Sequence, residues 1–385
     1  MPYIDQFLSV IVEQGGSDLH IGEGQPPKMR RHGDIVPIRS EPVVRGEAAG
    51  MLSEICGPQS WEAFEERGDL DFAYEMDDCS RFRCNFLKQT NGYGAVFRLI
   101  PTRIATLDEL GIPPVVKQFG HLRGGLVLVT GPTGSGKSTT LAALIDYVNE
   151  NFARHIVTIE EPIEFVHSHK RSIITQREVP VDSISFPAGL KAALREDADI
   201  VLVGEMRDLE TISLALTAAE TGLLVFGTLH TNNARKTVDR MVDVFPTTKQ
   251  AQARTMLANS LRGVLAQLLL KKVDGSGRLA VNEILLASPA VSAIIREGAT
   301  QKLLDVIVAG KGQGMQFMDD AIYALLEKGV VSPHEAFMKA IDKNRFRPFL
   351  PPDEQALGNF AGATSEDAKR APGDFVKARE RRRHD

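Results

Sequence analysis

The sequence predicts an α/β fold in which a doubly wound parallel sheet follows a smaller α+β region. Four short apolar runs after residue 122 are typical of strands buried on both faces: LVLVTG, HIVTIE, DIVLVG and LLVFGTL. Helical stretches lie between these runs, at 137–150, 186–196 and 208–221. Because strands alternate with helices, parallel pairing is favoured.

The N-terminal region mixes helix and strand signals. The stretch IDQFLSVIVEQ places Ile4, Phe7, Leu8 and Ile11 at the spacing of one helix face. GGSDLHI then turns into a strand, and RFRCNFLKQTNGYGAVFRLIP predicts a hairpin around QTNGYG. We therefore expect a small domain over 1–105, a connector over 106–122 that ends in a short helix, and the parallel-sheet domain over 123–345.

The C-terminal part of the chain is expected to be mainly helical from 248 to 345. One apolar stripe is predicted for a helix there, formed by Met256, Leu257, Leu261, Val264, Leu265 and Leu268. Residues 346–385 are rich in Pro, Gly, Ala and charge, which predicts a disordered tail. Its RERRR end could touch acidic lipid or nucleic acid, or be simply solvated.

Composition narrows the functional classes. A formal net charge of −5 argues against a nucleic-acid polycation, and no apolar run reaches the length of a membrane span. The N-terminus is acidic and amphipathic, unlike a signal peptide. Cys56, Cys79 and Cys84 show no paired CxxC spacing. We expect a reduced, cytoplasmic chain without disulfides or structural zinc.

A phosphate-binding loop is the strongest motif. GPTGSGKST at 131–139 matches G-x-x-x-x-G-K-[ST], follows a predicted strand and opens a predicted helix. Glycines let backbone N–H groups converge on phosphates, and the helix directs its positive end toward them. Lys137 is placed to reach the β- and γ-phosphates, and the Ser138 hydroxyl to bind Mg²⁺. The predicted nucleotide-binding residues are Gly131, Pro132, Thr133, Gly134, Ser135, Gly136, Lys137, Ser138 and Thr139, with ATP and Mg²⁺ as cofactors.

Acidic residues follow two other predicted strands. Glu160 ends IVTIE, and Glu161 and Glu164 follow it, at the edge of an α/β sheet where ligands bind, although a solvated acidic loop is an alternative. In DIVLVGEMRD, Gly204 occupies the position of the usual magnesium-binding aspartate, and Glu205 is the first acid. Glu205 could activate the water that attacks the γ-phosphate, or serve only as a helix N-terminal acid.

A histidine and three arginines complete the candidate set. His230 follows the strand in FGTLHTNNA and could hydrogen-bond a phosphate oxygen, although a lone histidine is more often structural. Arg81 and Arg83 share one strand face, and Arg98 lies in the partner strand of the hairpin. These arginines could meet the charge of a phosphoryl-transfer transition state, or lie on a solvated sheet face.

Taken together and in this order, the motifs resemble those of the secretion ATPase superfamily, the hexameric motors of type II and type IV secretion and of type IV pili. The resemblance covers residues 1 to about 345, and its further markers are GGSDLH, TIEEPIEFVH, TQREV and GTLHTNNA. It implies a PAS-like N-terminal domain, a RecA-like P-loop ATPase domain and Mg²⁺-dependent ATP hydrolysis.

The resemblance also implies residue roles. The 160–164 acids match its aspartate box, Glu205 its catalytic glutamate and His230 its histidine box. Arg83 and Arg98 would contact nucleotide, and the role of Arg81 stays open. The superfamily shares Gly204, so Mg²⁺ would be held directly by Ser138, with Glu160 and Glu164 acting through water.

Within this superfamily the chain is similar to the retraction ATPases of twitching motility, because it lacks the tetracysteine module and extra N-terminal domain of assembly motors. Expected partners are five further copies in a homo-hexamer, the inner-membrane platform protein of the pilus machine and a paralogous retraction ATPase. The expected location is the cytoplasmic face of the inner membrane.

One segment departs from the retraction motors. AVSAIIRE at 290–297 has Ser292 and Ala293 where AIRNLIRE has arginine and asparagine. An accessory retraction ATPase, or a related filament or secretion ATPase, is therefore an alternative. A RecA-like nucleic-acid motor is a remote one, because no basic stripe interleaved with aromatic residues precedes the tail.

Overall fold

The computed structural model describes residues 2–31, 34–77, 80–100 and 103–352, which form two β-sheets with their covering helices. The elements up to residue 100 are α1 (Asp5–Glu13), β1 (Asp18–Gly22), β2 (Lys28–Arg31), β3 (Asp34–Pro37), α2 (Glu47–Ser53), α3 (Pro58–Arg67), β4 (Asp69–Asp77), β5 (Ser80–Gln89) and β6 (Gly92–Ile100). A 3₁₀ helix over Pro114–His121 leads to the second sheet.

The second group of elements consists of β7 (Gly125–Thr130), α4 (Lys137–Asn151), β8 (His155–Glu160), β9 (Ile173–Glu178), α5 (Phe186–Ala193), β10 (Ile200–Val203), α6 (Leu209–Glu220), β11 (Leu224–Leu229), α7 (Ala234–Asp243), α8 (Thr247–Ser260), β12 (Leu261–Lys271), β13 (Arg278–Leu286), α9 (Pro289–Glu297), α10 (Leu303–Ala309), α11 (Met318–Glu327), α12 (Pro333–Lys339) and α13 (Lys343–Phe346). Short 3₁₀ turns lie at Thr300–Lys302, Gly310–Gln313 and Arg347–Phe349.

The first sheet is antiparallel and has the strand order β3-β2-β1-β6-β5-β4. Helix α1 buries Phe7, Leu8 and Ile11 against it, as the helical spacing predicted. The predicted hairpin is confirmed, since β5 and β6 pair closely around a two-residue turn. This α+β unit therefore has a core of its own, which is rich in phenylalanine.

The second sheet has the order β13-β12-β7-β11-β10-β8-β9 and is parallel except for β13. Successive residues of β7 enter opposite cores: Leu126 packs with α5, α6 and α8, and Val127 packs with α4. Both faces of the sheet are therefore covered, which explains the continuous apolar runs. The predicted doubly wound α/β fold is confirmed.

Three helices begin at the edge of this sheet where its parallel strands end, and each is capped by a polar side chain. Ser185, Asp208 and Asn233 each accept a hydrogen bond from the backbone N–H three residues later, at the starts of α5, α6 and α7. Such caps satisfy N–H groups that the first turn leaves without partners. The loops that precede these helices are thereby anchored beside the strand ends.

The predicted helical stripe across 256–268 is wrong beyond Ser260. Met256 and Leu257 belong to α8, but Leu261, Val264, Leu265 and Leu268 belong to β12. Residues on both faces of β12 are buried, since Val264 packs into one core and Leu265 into the core on the other side of the sheet. A strand buried on both faces shows no two-residue alternation, and its apolar run is indistinguishable from a buried helix by periodicity.

The predicted tail begins too early, because Phe346 ends α13 and is buried against the C-terminal helices, and Leu350 is also buried. Residues 353–385, which include the RERRR end, lie outside the described residues, as does Cys79. Cys56 and Cys84 are free thiols. None of the helices in the described part of the chain combines the length and apolar character that crossing a bilayer requires.

Candidate functional site

The glycine-rich loop connects β7 to α4 and wraps around the start of that helix. Gly131, Gly134 and Gly136 adopt positive φ values of 152°, 75° and 82°, which side chains disfavour. A Cβ at Gly131 would lie 2.3 Å from the Gln267 carbonyl oxygen, so only glycine fits. Lys137, the first residue of α4, donates to the Gly131 and Pro132 carbonyl oxygens at 2.9 and 3.2 Å.

A cavity of about 300 Å³ opens beside this loop and collects most of the predicted site residues. Its predicted members are Arg83, Thr133, Gly134, Lys137, Ser138, Glu160, Glu161, Glu164, Glu205 and His230. They come from four strand ends of the parallel sheet and from β5 of the first sheet. The convergence follows from topology, because β8, β10 and β11 are neighbours and end at one edge.

Glu160 ends β8 with a carboxyl group that is largely withdrawn from solvent. Burial, with a smaller contribution from the Glu164 charge, raises its pKa to about 7 against hydrogen bonds from Thr158 and Gln176. The Thr158 hydroxyl donates to the Glu160 carboxylate at 2.6 Å. Glu160 is therefore close to half protonated at neutral pH. Glu161 is exposed at the cavity rim.

Glu205 lies directly beyond β10 and is held by two cationic or potentially cationic side chains. Arg207 contacts both carboxylate oxygens at 2.5 Å, and His230 Nε2 lies 3.0 Å from Oε1. Burial raises the pKa of Glu205, but the Arg207 hydrogen bond and the charges of His230, Arg207 and Lys137 outweigh it and leave the pKa below its ordinary value. The carboxylate is therefore ionised at neutral pH.

Arg207 is a cavity residue that sequence reasoning missed, although it stands only two positions beyond Glu205 in GEMRD. Thr228, on β11, is another, and its hydroxyl contacts the Gly204 carbonyl oxygen. Phe186, at the start of α5, contributes an apolar wall. The charge of Arg207 beside a predicted acid was a usable signal, whereas nothing in the local sequence distinguished Thr228 or Phe186.

The three arginines that the sequence singles out lie on β5 and β6 but occupy different places. Arg83 reaches the cavity, where its Nη1 lies 3.7 Å from Glu164. Arg81 instead contacts Glu178 at 3.6 Å, and Glu178 accepts a hydrogen bond from the Ile163 N–H. Arg81 and Arg83 thus link the first sheet to the 160–164 segment.

Arg98 does not line the cavity. Its Nε donates to Asp18 at 2.8 Å, and 67% of its side chain is exposed. Asp18 is buried on β1, directly opposite Arg98 in the strand register. Within one chain the structure therefore places Arg98 with Asp18 rather than with the phosphate-binding loop.

Gly204 has a steric explanation in the structure. Its N–H donates to the Ile159 carbonyl oxygen at 2.8 Å, and an added Cβ would lie 3.1 Å from that oxygen and 3.2 Å from Glu160 Cα. The missing side chain lets β10 end close against β8. Glu160, whose Cγ would lie 3.6 Å from that Cβ, borders the space that an aspartate at 204 would fill.

The chemistry of these residues fits a phosphorylated ligand and a hard cation. Backbone N–H groups at a helix start and the Lys137 ammonium suit phosphate oxygens. The Ser138 hydroxyl and the Glu160 and Glu164 carboxyls line the same cavity and supply the oxygen donors that Mg²⁺ prefers. The cavity therefore combines an anion-binding loop, oxygen donors and an ionised carboxylate.

Comparison with curated proteins finds relatives along most of the chain. It is 48% identical over 337 residues to the type IV pilus retraction ATPase PilT of Pseudomonas aeruginosa, which covers 88% of this chain and 98% of that protein. It is 38% identical over 343 residues to the type IV pilus ATPase PilU of the same organism, which covers 89% and 90%.

Solved structures give the same result. The crystal structure of the pilus retraction motor PilT with bound ADP superposes with a TM-score of 0.82 at 40% identity, covering 88% of this chain and 97% of that one. Residues 1–332 match the family model described as Type II/IV secretion system protein. The chain therefore belongs to the Type II/IV secretion system protein family.

Proposed function

We propose that this chain is a motor of type IV pilus retraction that hydrolyses ATP with Mg²⁺ at the cavity described above. The observation that carries the proposal is the convergence of Lys137, Ser138, Glu205 and Arg83 on one cavity. A relative named as the type IV pilus retraction ATPase PilT supports the cellular role, and a solved PilT structure with bound ADP supports the substrate.

The residues take the following parts. The loop N–H groups and Lys137 hold the β- and γ-phosphates, while Arg83 approaches from the first sheet. Glu205 accepts a proton from the attacking water, and His230 at 3.0 Å orients its carboxylate. Ser138 would hold Mg²⁺ directly, with Glu160 and Glu164 acting through water. Bound Mg²⁺ would neutralise charge on the phosphates.

Domain movement follows from the contacts between the two sheets. Arg83 on β5 contacts Glu164 within the 160–164 segment, and Arg81 contacts Glu178, which accepts a hydrogen bond from the Ile163 N–H of that segment. A nucleotide that shifts this segment would change the angle between a domain over 1–105 and one over 123–345. In a homo-hexamer at the inner face of the membrane, this change would act on the platform protein. Native mass spectrometry with and without ATP tests the ring.

Glu205→Gln tests the chemistry, with Glu210→Gln as the matched control. Glu210 lies in the first turn of α6 and pairs with Lys191 outside the cavity. We expect Glu205→Gln to lower kcat by about 10²–10⁴-fold, the usual contribution of a general base, while ADP still binds. The control should keep its turnover. Near wild-type turnover in Glu205→Gln would remove Glu205 from the role of base.

An accessory retraction ATPase is the second candidate, favoured by the 290–297 segment. Ser292 on α9 donates to the Ala258 carbonyl oxygen at 2.8 Å, and Arg296 donates to Asn259 at 3.0 Å, so the segment packs on α8. Deleting the gene discriminates between the roles. Surplus, non-retracting pili support the main motor, pili that still retract support an accessory role, and bald cells support assembly.

A further inference from the structure

Gln267 on β12 is a buried amide directly behind the phosphate-binding loop. Strand β12 pairs in parallel with β7, and the register Ala266↔Thr130 brings Gln267 beside the first residue of the loop. Gln267 is 1% exposed, and its backbone oxygen is the atom that a Cβ at Gly131 would strike. The loop therefore rests on Gln267 without an intervening side chain.

Both polar atoms of the Gln267 amide make hydrogen bonds. Its Nε2 donates to the Ser135 carbonyl oxygen at 2.7 Å. Its Oε1 accepts from the Thr140 hydroxyl at 2.9 Å and from Asn282 Nδ2 at 3.0 Å. Because a carbonyl oxygen can only accept, the Ser135 contact sets which end of the amide is nitrogen. One side chain thus holds the loop at 135 and the first turn of α4 at 140, on both sides of Lys137 and Ser138.

This contact has a physical reason. A loop that aims its N–H groups at an anion turns its carbonyl oxygens the other way, into the protein. A buried carbonyl group without a hydrogen-bond donor is unfavourable. The peptide would therefore rotate out of the phosphate-binding conformation unless a donor lies on the side of the carbonyl oxygen. Gln267 is that donor for Ser135, and Asn282, itself 1% exposed, fixes the donor in place.

We infer that Gln267 is a positioning residue of the nucleotide site, which holds the Ser135 peptide and the start of α4 so that the loop is shaped for phosphate before the nucleotide arrives. This inference rests on the proposed nucleotide-dependent function. Gln267 does not touch the nucleotide; it acts through the loop.

The test compares Gln267→Leu with Asn149→Leu by ADP titration calorimetry, steady-state ATPase kinetics and thermal unfolding without nucleotide. Asn149 is a matched control: it is 0% exposed and bonds the Ser168 carbonyl and the Lys170 N–H at the far end of α4. Gln267→Leu should weaken ADP binding by about tenfold and raise KM, with kcat within about twofold, because ground and transition states use the same loop. Asn149→Leu should unfold at lower temperature but bind ADP normally.

A folded Gln267→Leu protein with wild-type ADP affinity would overturn the inference, and so would an equal loss of affinity in Asn149→Leu. If Gln267→Leu does not fold, the variants Thr140→Val and Thr140→Ser test the same inference. Valine deletes one of the amide's bonds and should weaken ADP binding a few-fold, whereas serine keeps the hydroxyl and the affinity; equal affinities would contradict the inference. A wild-type protein that binds no ADP would overturn the proposed function itself.

Discussion

Restoring the aspartate that Gly204 replaces should damage the protein rather than repair it. A Cβ at 204 would lie 3.1 Å from the Ile159 carbonyl oxygen and 3.2 Å from Glu160 Cα, closer than ordinary contacts. The ends of β8 and β10 would have to separate by a few tenths of an ångström. Overpacking of this kind costs about 1–3 kcal/mol, and the small displacement places Gly204→Asn near the lower value.

Gly204→Asp adds a charge to the same strain. Its Cβ would lie 3.6 Å from Glu160 Cγ, and Glu160 has a pKa of about 7. At about 5 Å separation and an effective dielectric constant of about 20, two ionised carboxyl groups would repel by about 3 kcal/mol. That exceeds the roughly 1.4 kcal/mol needed to protonate Glu160 one pH unit above its pKa of about 7, so in Gly204→Asp at pH 8 Glu160 keeps its proton and the penalty is about 1.4 kcal/mol. At pH 6, where Glu160 is mostly protonated, this penalty should largely disappear.

Urea denaturation of the nucleotide-free protein at pH 6 and pH 8 measures both effects, with Gly204→Asn as the uncharged control of equal size. We expect both variants to be destabilised at both pH values, Gly204→Asp to lose further stability at pH 8, and its ATPase turnover to fall. If Gly204→Asp is as stable as wild type at both pH values and turns over at least as fast, the steric and electrostatic reasoning is wrong and Gly204 is a damaged magnesium site.

Two further predictions concern the same cavity. Burial, helped by the Glu164 charge, raises the pKa of Glu160 from 4.5 to about 7, so between these values the folded state binds more protons than the unfolded state and wild-type stability falls as pH rises. Glu160→Gln has no carboxyl group to titrate, so the free energy of unfolding of this variant should rise relative to that of wild type by up to about 3 kcal/mol between pH 5 and pH 8. Urea denaturation across this pH range measures the difference. If the two proteins show parallel pH profiles, the assigned pKa is wrong. Arg83→Ala should lower ATPase kcat/KM more than Arg98→Ala does, because Arg83 lines the cavity while Arg98 pairs with Asp18. Arg98→Ala should instead lower the unfolding temperature. A larger loss of kcat/KM in Arg98→Ala than in Arg83→Ala would show that Arg98 serves the nucleotide site.

The loop and the strand-end residues could be predicted because their signals are local. The GPTGSGKST motif specifies its own turn and helix start, and the apolar runs before Glu160, Glu205 and His230 mark parallel strands. Parallel strands end at one edge, so the sequence predicts that these side chains lie together. Their convergence on one cavity agrees with that expectation.

The role of 261–271 could not be predicted in the same way. An apolar run with a single glutamine is compatible with a buried helix or with a strand buried on both faces, and the helical interpretation was wrong. The error also hid Gln267, because a polar residue outside the apolar stripe of a helix shows no sign of facing a phosphate-binding loop. Only the position of β12 between β7 and β13 reveals that contact.

Local sequence thus predicts which residues can carry the chemistry, since glycine conformation, helix starts and strand ends depend on neighbouring positions. Tertiary structure decides which partner each long side chain meets. Arg98 meets Asp18 across 80 positions of sequence, and Gln267 meets Ser135 across 132. Such pairs follow from strand order and register, which arise from packing of the whole chain, so no short stretch of residues could specify them.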